Sequence, residues 1–191
     1  MIKKYYNTIL FCLLAVNLFA QKGERVIGIF KTGKDFKEGN LSYIMDCNSK
    51  KNKILLNDLF NKKYITVKQN DNSYNLFKNS IYGYESCNKD VYRFLNKKEL
   101  LLLNQDEEIL IYKHFVSKPP TGRTNVTNYY FSIGKEGEVK ELTIKNLKNA
   151  FHSNPEFVAL IDKNFKYNMD LAAFDKSNKI YRINELLKQT E

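Results

Sequence analysis

Residues that can carry out acid–base, nucleophilic or metal chemistry are few in this chain. The histidines are His114 and His152, and neither lies in a metal-binding pattern such as HExxH. Ser132 lacks the flanking glycines of a nucleophile elbow, and no glycine-rich phosphate loop is present. We interpret His114 as a surface or edge residue of a strand. We interpret His152 as a residue at the C-terminal end of a helix, where the helix dipole favours a partly positive imidazole ring. The sequence therefore predicts no catalytic residue, no metal site and no cofactor.

Two cysteines, Cys47 and Cys87, follow the apolar N-terminal segment. In an oxidising compartment two such residues form a disulfide if the fold brings them together. The alternative is two buried thiols that never meet. Because no cluster of histidines accompanies them, they do not indicate a metal site. We expect Cys47 and Cys87 to pair.

Aromatic residues are abundant, with 13 tyrosines, 13 phenylalanines and no tryptophan. Several fall on segments with strand-like patterns, where aromatic side chains either line a binding surface or fill a half-buried pleat. The residues of the candidate aromatic binding surface are Tyr82, Tyr84, Tyr92, Tyr112 and Tyr129. Packing of these side chains in a β-sheet core is the alternative, and the more economical interpretation.

The elements that would position these residues are short apolar runs separated by polar, turn-prone clusters. The clearest stretch, residues 80–115, holds four such runs, at residues 81–84, 91–95, 100–103 and 109–115. Runs of this length bounded by Asn, Asp, Lys and Ser are typical of strands joined by hairpin turns. Over residues 25–142 the pattern predicts about ten short strands, mainly antiparallel because the turns are close. Residues 31–40 are predicted to be a polar loop.

A helical periodicity replaces the strand pattern in the last quarter of the chain. Thr143 is a candidate N-cap of a first helix, and Ser153 or Asn154 of a second helix that begins with Pro155. Asn184 is predicted to cap a terminal helix. Strands followed by helices indicate an α+β fold, in which two to three C-terminal helices pack on a mainly antiparallel sheet.

The first 20 residues have the layout of a secretory signal peptide. Lys3 and Lys4 precede an apolar run over residues 9–20 that ends at Ala20, a small residue suited to signal-peptidase cleavage. The run is shorter than the about 20 apolar residues that a transmembrane helix needs, and no other segment is apolar enough to span a bilayer. We therefore expect cleavage near Ala20, a secreted or periplasmic destination, and a single α+β domain over residues 21–191 without a membrane span.

The charge balance is basic, because 31 Lys and Arg residues face 21 Asp and Glu residues and give a net charge of +10. The arginines are only Arg25, Arg93, Arg123 and Arg182. Base readout and bidentate phosphate capture favour arginine, so a nucleic-acid partner is not expected. The lysines are scattered singly or in pairs such as Lys62–Lys63 and Lys97–Lys98. We interpret them as solvated surface, with an anionic partner as the alternative.

Three stretches carry a resemblance to other proteins. The segment NLFAQK at the end of the signal peptide and the runs IYGYESCNKDVYRF and LTIKNLKNAF resemble exported proteins of the Bacteroidota whose function is not characterised. The resemblance implies export and no particular activity, and it assigns no site residue.

Together these features predict an exported, non-catalytic domain that binds an unidentified ligand or protein at the cell envelope. The alternative is a small exported hydrolase whose active site follows no motif. Such an enzyme would gather His114 or His152 with a carboxylate or an unpaired cysteine in one pocket.

Overall fold

The computed structural model describes residues 25–56, 62–116 and 126–191. The predicted signal peptide, with its cleavage near Ala20, lies outside the described residues. Within the described ranges, no helix combines the length and the apolar character that crossing a membrane requires.

The fold is α+β, as predicted, and antiparallel pairing joins its strands into sheets. In the described part of the chain, eleven strands lie in the region where the sequence predicts about ten. They are β1 (Val26–Phe30), β2 (Ser42–Asp46), β3 (Lys53–Leu55), β4 (Tyr64–Gln69), β5 (Asn72–Phe77), β6 (Gly83–Glu85), β7 (Val91–Leu95), β8 (Lys98–Leu102), β9 (Ile109–Val116), β10 (Val126–Ile133) and β11 (Lys140–Glu141). Eight of them form the central sheet, in the order β11-β10-β9-β8-β7-β6-β1-β2.

A second, three-stranded sheet consists of β3, β4 and β5 in that order. Its strands β4 and β5 are joined by a two-residue turn in which Asn70 and Asp71 have φ of 49° and 63°. Asn and Asp tolerate this left-handed conformation, and its twist matches that of the flanking strands. The side chains that this sheet packs against the central sheet are Ile54, Ile65 and Val67.

A helix, α1 (Gly33–Glu38), lies where the sequence predicts a polar loop, at residues 31–40, so that prediction is wrong. Thr32 caps the helix, because its hydroxyl accepts from the Asp35 N–H at 3.1 Å. The Asp35 carboxylate in turn accepts from the Thr32 N–H at 2.9 Å, which completes a capping box. Phe36 is buried against the central sheet, so a tertiary contact holds this short helix in place.

Each face of the central sheet has its own cover. On one face, the three-stranded sheet covers β1, β6 and β7, and the C-terminal helices cover β9 and β10. On the opposite face, Phe36 of α1 packs with side chains of the central sheet in a third cluster. The sheet residues of this third cluster include Phe30, Leu100, Leu102, Leu110, Tyr112 and Tyr130. The central sheet is therefore the layer that all three clusters share.

Three helices follow the sheet: α2 (Ile144–Ala150), α3 (Pro155–Asn164) and α4 (Arg182–Leu187). Between α3 and α4 lie a 3-10 turn (Asn168–Ala172) and a hairpin of β12 (Phe174–Asp175) and β13 (Ile180–Tyr181). The predicted caps of the first two helices are confirmed. The Thr143 hydroxyl accepts from the Asn146 N–H at 3.1 Å. The Asn154 side chain accepts from the Phe157 N–H at 3.0 Å.

The predicted cap of the terminal helix is wrong. Because α4 begins at Arg182, Asn184 lies inside the helix and is buried. Its Oδ1 accepts from the Ile109 N–H at 2.9 Å, and its Nδ2 donates to the Ile109 carbonyl at 2.9 Å. The side chain therefore satisfies the backbone at the start of β9 instead of a helix terminus.

Cys47 and Cys87 lie at disulfide distance, with 2.06 Å between the sulfur atoms and 5.9 Å between the Cα atoms. The predicted pairing is confirmed. Cys47 directly follows β2, and Cys87 lies in the connection between β6 and β7. A hydrogen bond next to the disulfide also holds this connection, because Arg25 Nη2 donates to the Asn88 side chain at 3.0 Å.

Candidate functional site

The five tyrosines of the predicted aromatic surface do not share one surface. Tyr82, Tyr84 and Tyr112 are buried, at 8%, 3% and 0% exposure. Tyr92 is half-buried and stacks on Tyr84 with ring centres 4.9 Å apart, whereas Tyr129 packs against the cluster beneath the C-terminal helices. The side chains fill the core, which is the alternative that the sequence left open. A ligand at the protein surface therefore cannot contact all five together.

Sequence reasoning missed a polar network around Arg93 on β7. The Arg93 guanidinium donates to the Gly137 carbonyl at 2.8 Å and to the Tyr112 hydroxyl at 3.2 Å. It also lies 4.6 Å from the centre of the Tyr82 ring. Burial and the adjacent Tyr112 raise the pKa of Tyr82, so its hydroxyl stays protonated. We interpret the network as structural, because Arg93 ties β7 to the turn that follows β10.

The two histidines lie in different settings, and neither is joined to a carboxylate by a hydrogen bond or ion pair among the described residues. His114, on β9, lies beside Tyr130, whose hydroxyl accepts from Lys98 Nζ at 2.7 Å. Burial and the Lys98 ammonium lower the pKa of His114, which favours a neutral ring. His152 is exposed, with Nδ1 3.1 Å from the Asn149 carbonyl oxygen. These contacts do not favour the hydrolase alternative.

Metal ligands do not converge in the part of the chain that the structure describes: no group of three or more His, Cys, Asp or Glu residues there could hold an ion. The carboxylate of Glu107 instead accepts from the Asn104 side chain at 2.6 Å and from the Asn184 side chain. This carboxylate therefore supports the attachment of α4 to β9.

A cleft of about 240 Å³ at the surface is lined by Lys63, Phe77, Asn79, Asn96 and Lys97. We call it the lysine cleft. One wall belongs to the three-stranded sheet and the 3-10 turn that follows it (Lys78–Ser80). The other wall is the turn between β7 and β8 in the central sheet. The cleft therefore lies where the two sheets meet.

A buried ion pair joins the two walls of the lysine cleft. Lys78, in the 3-10 turn, is 2% exposed, and its Nζ lies 2.6 Å from Glu99 Oε1 on β8. The other oxygen of Glu99 accepts from the Tyr84 hydroxyl at 3.1 Å. The Lys78 N–H also donates to the Lys63 carbonyl at 2.9 Å, at the end of the ladder between β4 and β5. The two walls are thus linked by an ion pair that salt screens much less than it screens exposed charges.

The lysine cleft carries positive charge that no described carboxylate neutralises. Lys63 and Lys97 are exposed and form no ion pair with another described residue. Asn79 and Asn96 add side-chain amides that can donate hydrogen bonds. Phe77, 56% exposed, adds an apolar ring. This combination suits an anionic group, such as a carboxylate or sulfate, that stands next to an apolar group.

The sequence shows the lysines of this cleft but does not indicate that they lie together. The pairs Lys62–Lys63 and Lys97–Lys98 are visible, but they resemble the other scattered lysines. Lys63 directly precedes β4 of the three-stranded sheet, whereas Lys97 lies in the turn between β7 and β8 of the central sheet. Only the packing of the two sheets brings these lysines to one cleft.

No family model, curated protein or solved structure matches the chain.

Proposed function

We propose that this chain is an exported, non-catalytic domain that binds an anionic ligand at the cell envelope through the lysine cleft. The convergence of Lys63 and Lys97 beside the exposed ring of Phe77 carries the proposal. Pairing of Cys47 with Cys87 supports export, because disulfides persist in oxidising compartments.

The expected binding is electrostatic and salt-sensitive. Exposed ammonium groups attract an anion through charge-assisted hydrogen bonds, and salt screens that attraction over a Debye length of about 10 Å at 0.1 M. The ion pair between Lys78 and Glu99 holds the walls in place without taking part in binding. Lys63 and Lys97 contact the ligand, and Phe77 covers its apolar part.

Retention on heparin, used as a generic polyanion, tests the proposal. The double variant Lys63→Glu/Lys97→Glu should elute at clearly lower salt than the wild type. The matched control is Lys145→Glu/Lys188→Glu, which changes the net charge equally at two exposed lysines outside the cleft. Equal elution of the two double variants would show that only net charge matters and would overturn the proposal.

A further inference from the structure

Strand β5 has an open edge. In the described part of the chain it pairs only with β4, along all six residues from Asn72 to Phe77. Other sheet edges are short or irregular: β11 has two residues, β3 has three, and β2 shows a register shift against β1. β5 contains no proline and no charged residue. It therefore lacks the features by which natural edge strands avoid pairing with another chain.

The backbone groups on this edge can be assigned from the hairpin. In a two-residue hairpin the residues that flank the turn exchange both hydrogen bonds, and every second pair along the ladder does the same. Asn72, Tyr74 and Leu76 thus bond to β4. The N–H and C=O groups of Ser73 and Asn75, together with the Phe77 N–H, point away from β4, so they are placed to receive a further strand. The Phe77 carbonyl accepts from the Ser80 hydroxyl at 2.9 Å.

The inward face of this edge is apolar. Tyr74 and Leu76 lie opposite Val67 and Ile65, which are fully buried. Leu76 is half-buried and packs against the apolar cluster between the two sheets, whereas Tyr74 remains 46% exposed. A strand added to β5 would place every second side chain beside Tyr74 and Leu76, on the inward face of the sheet. These side chains would extend the apolar cluster between the two sheets.

The outward face is positive at both ends. At one end Lys53 and Lys68 lie directly opposite each other, next to Ser73, and both are exposed. At the other end Phe77 adjoins Lys63 and Lys97 of the lysine cleft. An added strand meets the least repulsion if its outward side chains are acidic. A second copy of this chain offers no such match, because the outward side chains of its β5 are neutral and the chain has a net charge of +10.

We infer that β5 binds an extended peptide segment of a partner protein, in which apolar and acidic residues alternate. The peptide adds a strand to the three-stranded sheet, its apolar side chains cover Tyr74 and Leu76, and one acidic side chain enters the lysine cleft. The inference rests on the proposed function, since Lys63 and Lys97 supply part of the charge. Main-chain bonds give affinity in this mode, and alternate side chains give specificity.

Synthetic peptides test the inference by fluorescence anisotropy with the purified full chain. A peptide of about eight residues that alternates Val and Glu should bind, because such a length spans β5. A peptide that alternates Val and Lys should bind at least about tenfold more weakly, since like charges oppose each other across the strands. Equal binding of the two peptides would overturn the charge argument.

N-methylated peptides separate strand addition from side-chain binding. Methyl groups on one alternate set of amides should abolish binding of the Val/Glu peptide, because those N–H groups face β5. Methyl groups on the other set should leave binding unchanged, because those N–H groups face solvent. Equal binding of both methylated peptides would overturn strand addition, and no change to the protein is needed for this comparison.

Two protein variants distinguish this inference from the proposed function. Asn75→Pro removes an outward N–H and should abolish peptide binding, while retention on heparin stays as in the wild type. Lys63→Glu/Lys97→Glu should weaken both peptide binding and retention on heparin. If heparin retention depends on the two lysines but the Val/Glu peptide does not bind, the inference fails and the proposed function stands. A wild-type dimer that Asn75→Pro converts to a monomer would assign β5 to self-association and overturn the inference.

Discussion

Lys78 links the two walls of the lysine cleft. It is an almost fully buried lysine, and such a position is tolerated only when the charge is paired. Its ammonium group meets Glu99 from the facing sheet and lies 5.4 Å from the centre of the Phe94 ring. A charge placed between two layers in this way fixes their relative position.

Replacing Glu99 by Gln should destabilise the protein by about 3 kcal/mol, because a buried ammonium then loses its counter-charge. The double variant Lys78→Met/Glu99→Gln should recover much of that loss, since it buries no ammonium group. Midpoints of urea unfolding measure both effects. Glu85→Gln is the control, because Glu85 pairs with Lys89, whose side chain is 63% exposed, and should cost under about 1 kcal/mol. A double variant no more stable than Glu99→Gln would contradict this account of the pair.

His114 should make stability depend on pH. Burial and Lys98 lower its pKa in the folded state below the ordinary value of 6.5, so the unfolded chain binds the proton more readily. The free energy of unfolding should therefore fall as pH drops from about 7.5 to about 5.5. His114→Phe should reduce this fall, whereas His152→Gln, at the exposed histidine, should leave it unchanged. Urea unfolding at the two pH values measures the difference, and identical pH slopes in all three proteins would contradict the prediction.

Short helices in this protein are held by contacts with the sheet. α1 and α4 each have six residues, a length at which a helix is not stable in isolation. α1 is attached through Phe36, and α4 through Asn184 and its buried apolar residues. Packing against the central sheet therefore stabilises both helices.

Asn184→Ala should destabilise the protein by about 2–3 kcal/mol, because the buried N–H of Ile109 loses its acceptor. The Ile109 carbonyl keeps a second donor in Asn104, so the loss stays within that range. Denaturant unfolding measures the change. Lys188→Ala, at the exposed end of the same helix, should stay within about 0.5 kcal/mol of the wild type. Equal stability of the two variants would contradict the role assigned to Asn184.

At the scale of the whole molecule, the central sheet joins three separate apolar clusters. The chain leaves this sheet after β2, forms the three-stranded sheet, and returns at β6 beside β1. Cys47 lies at the start of this excursion and Cys87 shortly after β6, and the two cysteines are 40 residues apart in the sequence. The disulfide therefore closes the loop that contains β5 and one wall of the lysine cleft.

Removal of this link by Cys47→Ala/Cys87→Ala should cost about 4 kcal/mol, the loop entropy that a closed segment of 40 residues implies. Denaturant unfolding of wild type and variant, each with and without reductant, measures the change. Reductant should lower the wild-type midpoint toward that of the variant and leave the variant unaffected. A variant as stable as the oxidised wild type would contradict the prediction.

Local patterns were sufficient for most of the fold. Alternation and turn residues predict the antiparallel strands, and Thr143 and Asn154 predict two helix starts, because these signals act within a few residues. α1 was missed although Thr32 and Asp35 form its capping box, because glycines and lysines around one apolar residue resemble a loop. Asn184 was misassigned because its partner, Ile109, is far away in the sequence.

The lysine cleft and the open edge of β5 exist only in the folded molecule. Residue types alone determine that the chain is basic, rich in aromatics and able to form a disulfide. Packing decides which tyrosines are buried, which lysines meet in one cleft and, among the described residues, which strand keeps an open edge. Those outcomes depend on contacts between segments that are distant in the chain, and no local periodicity encodes such contacts.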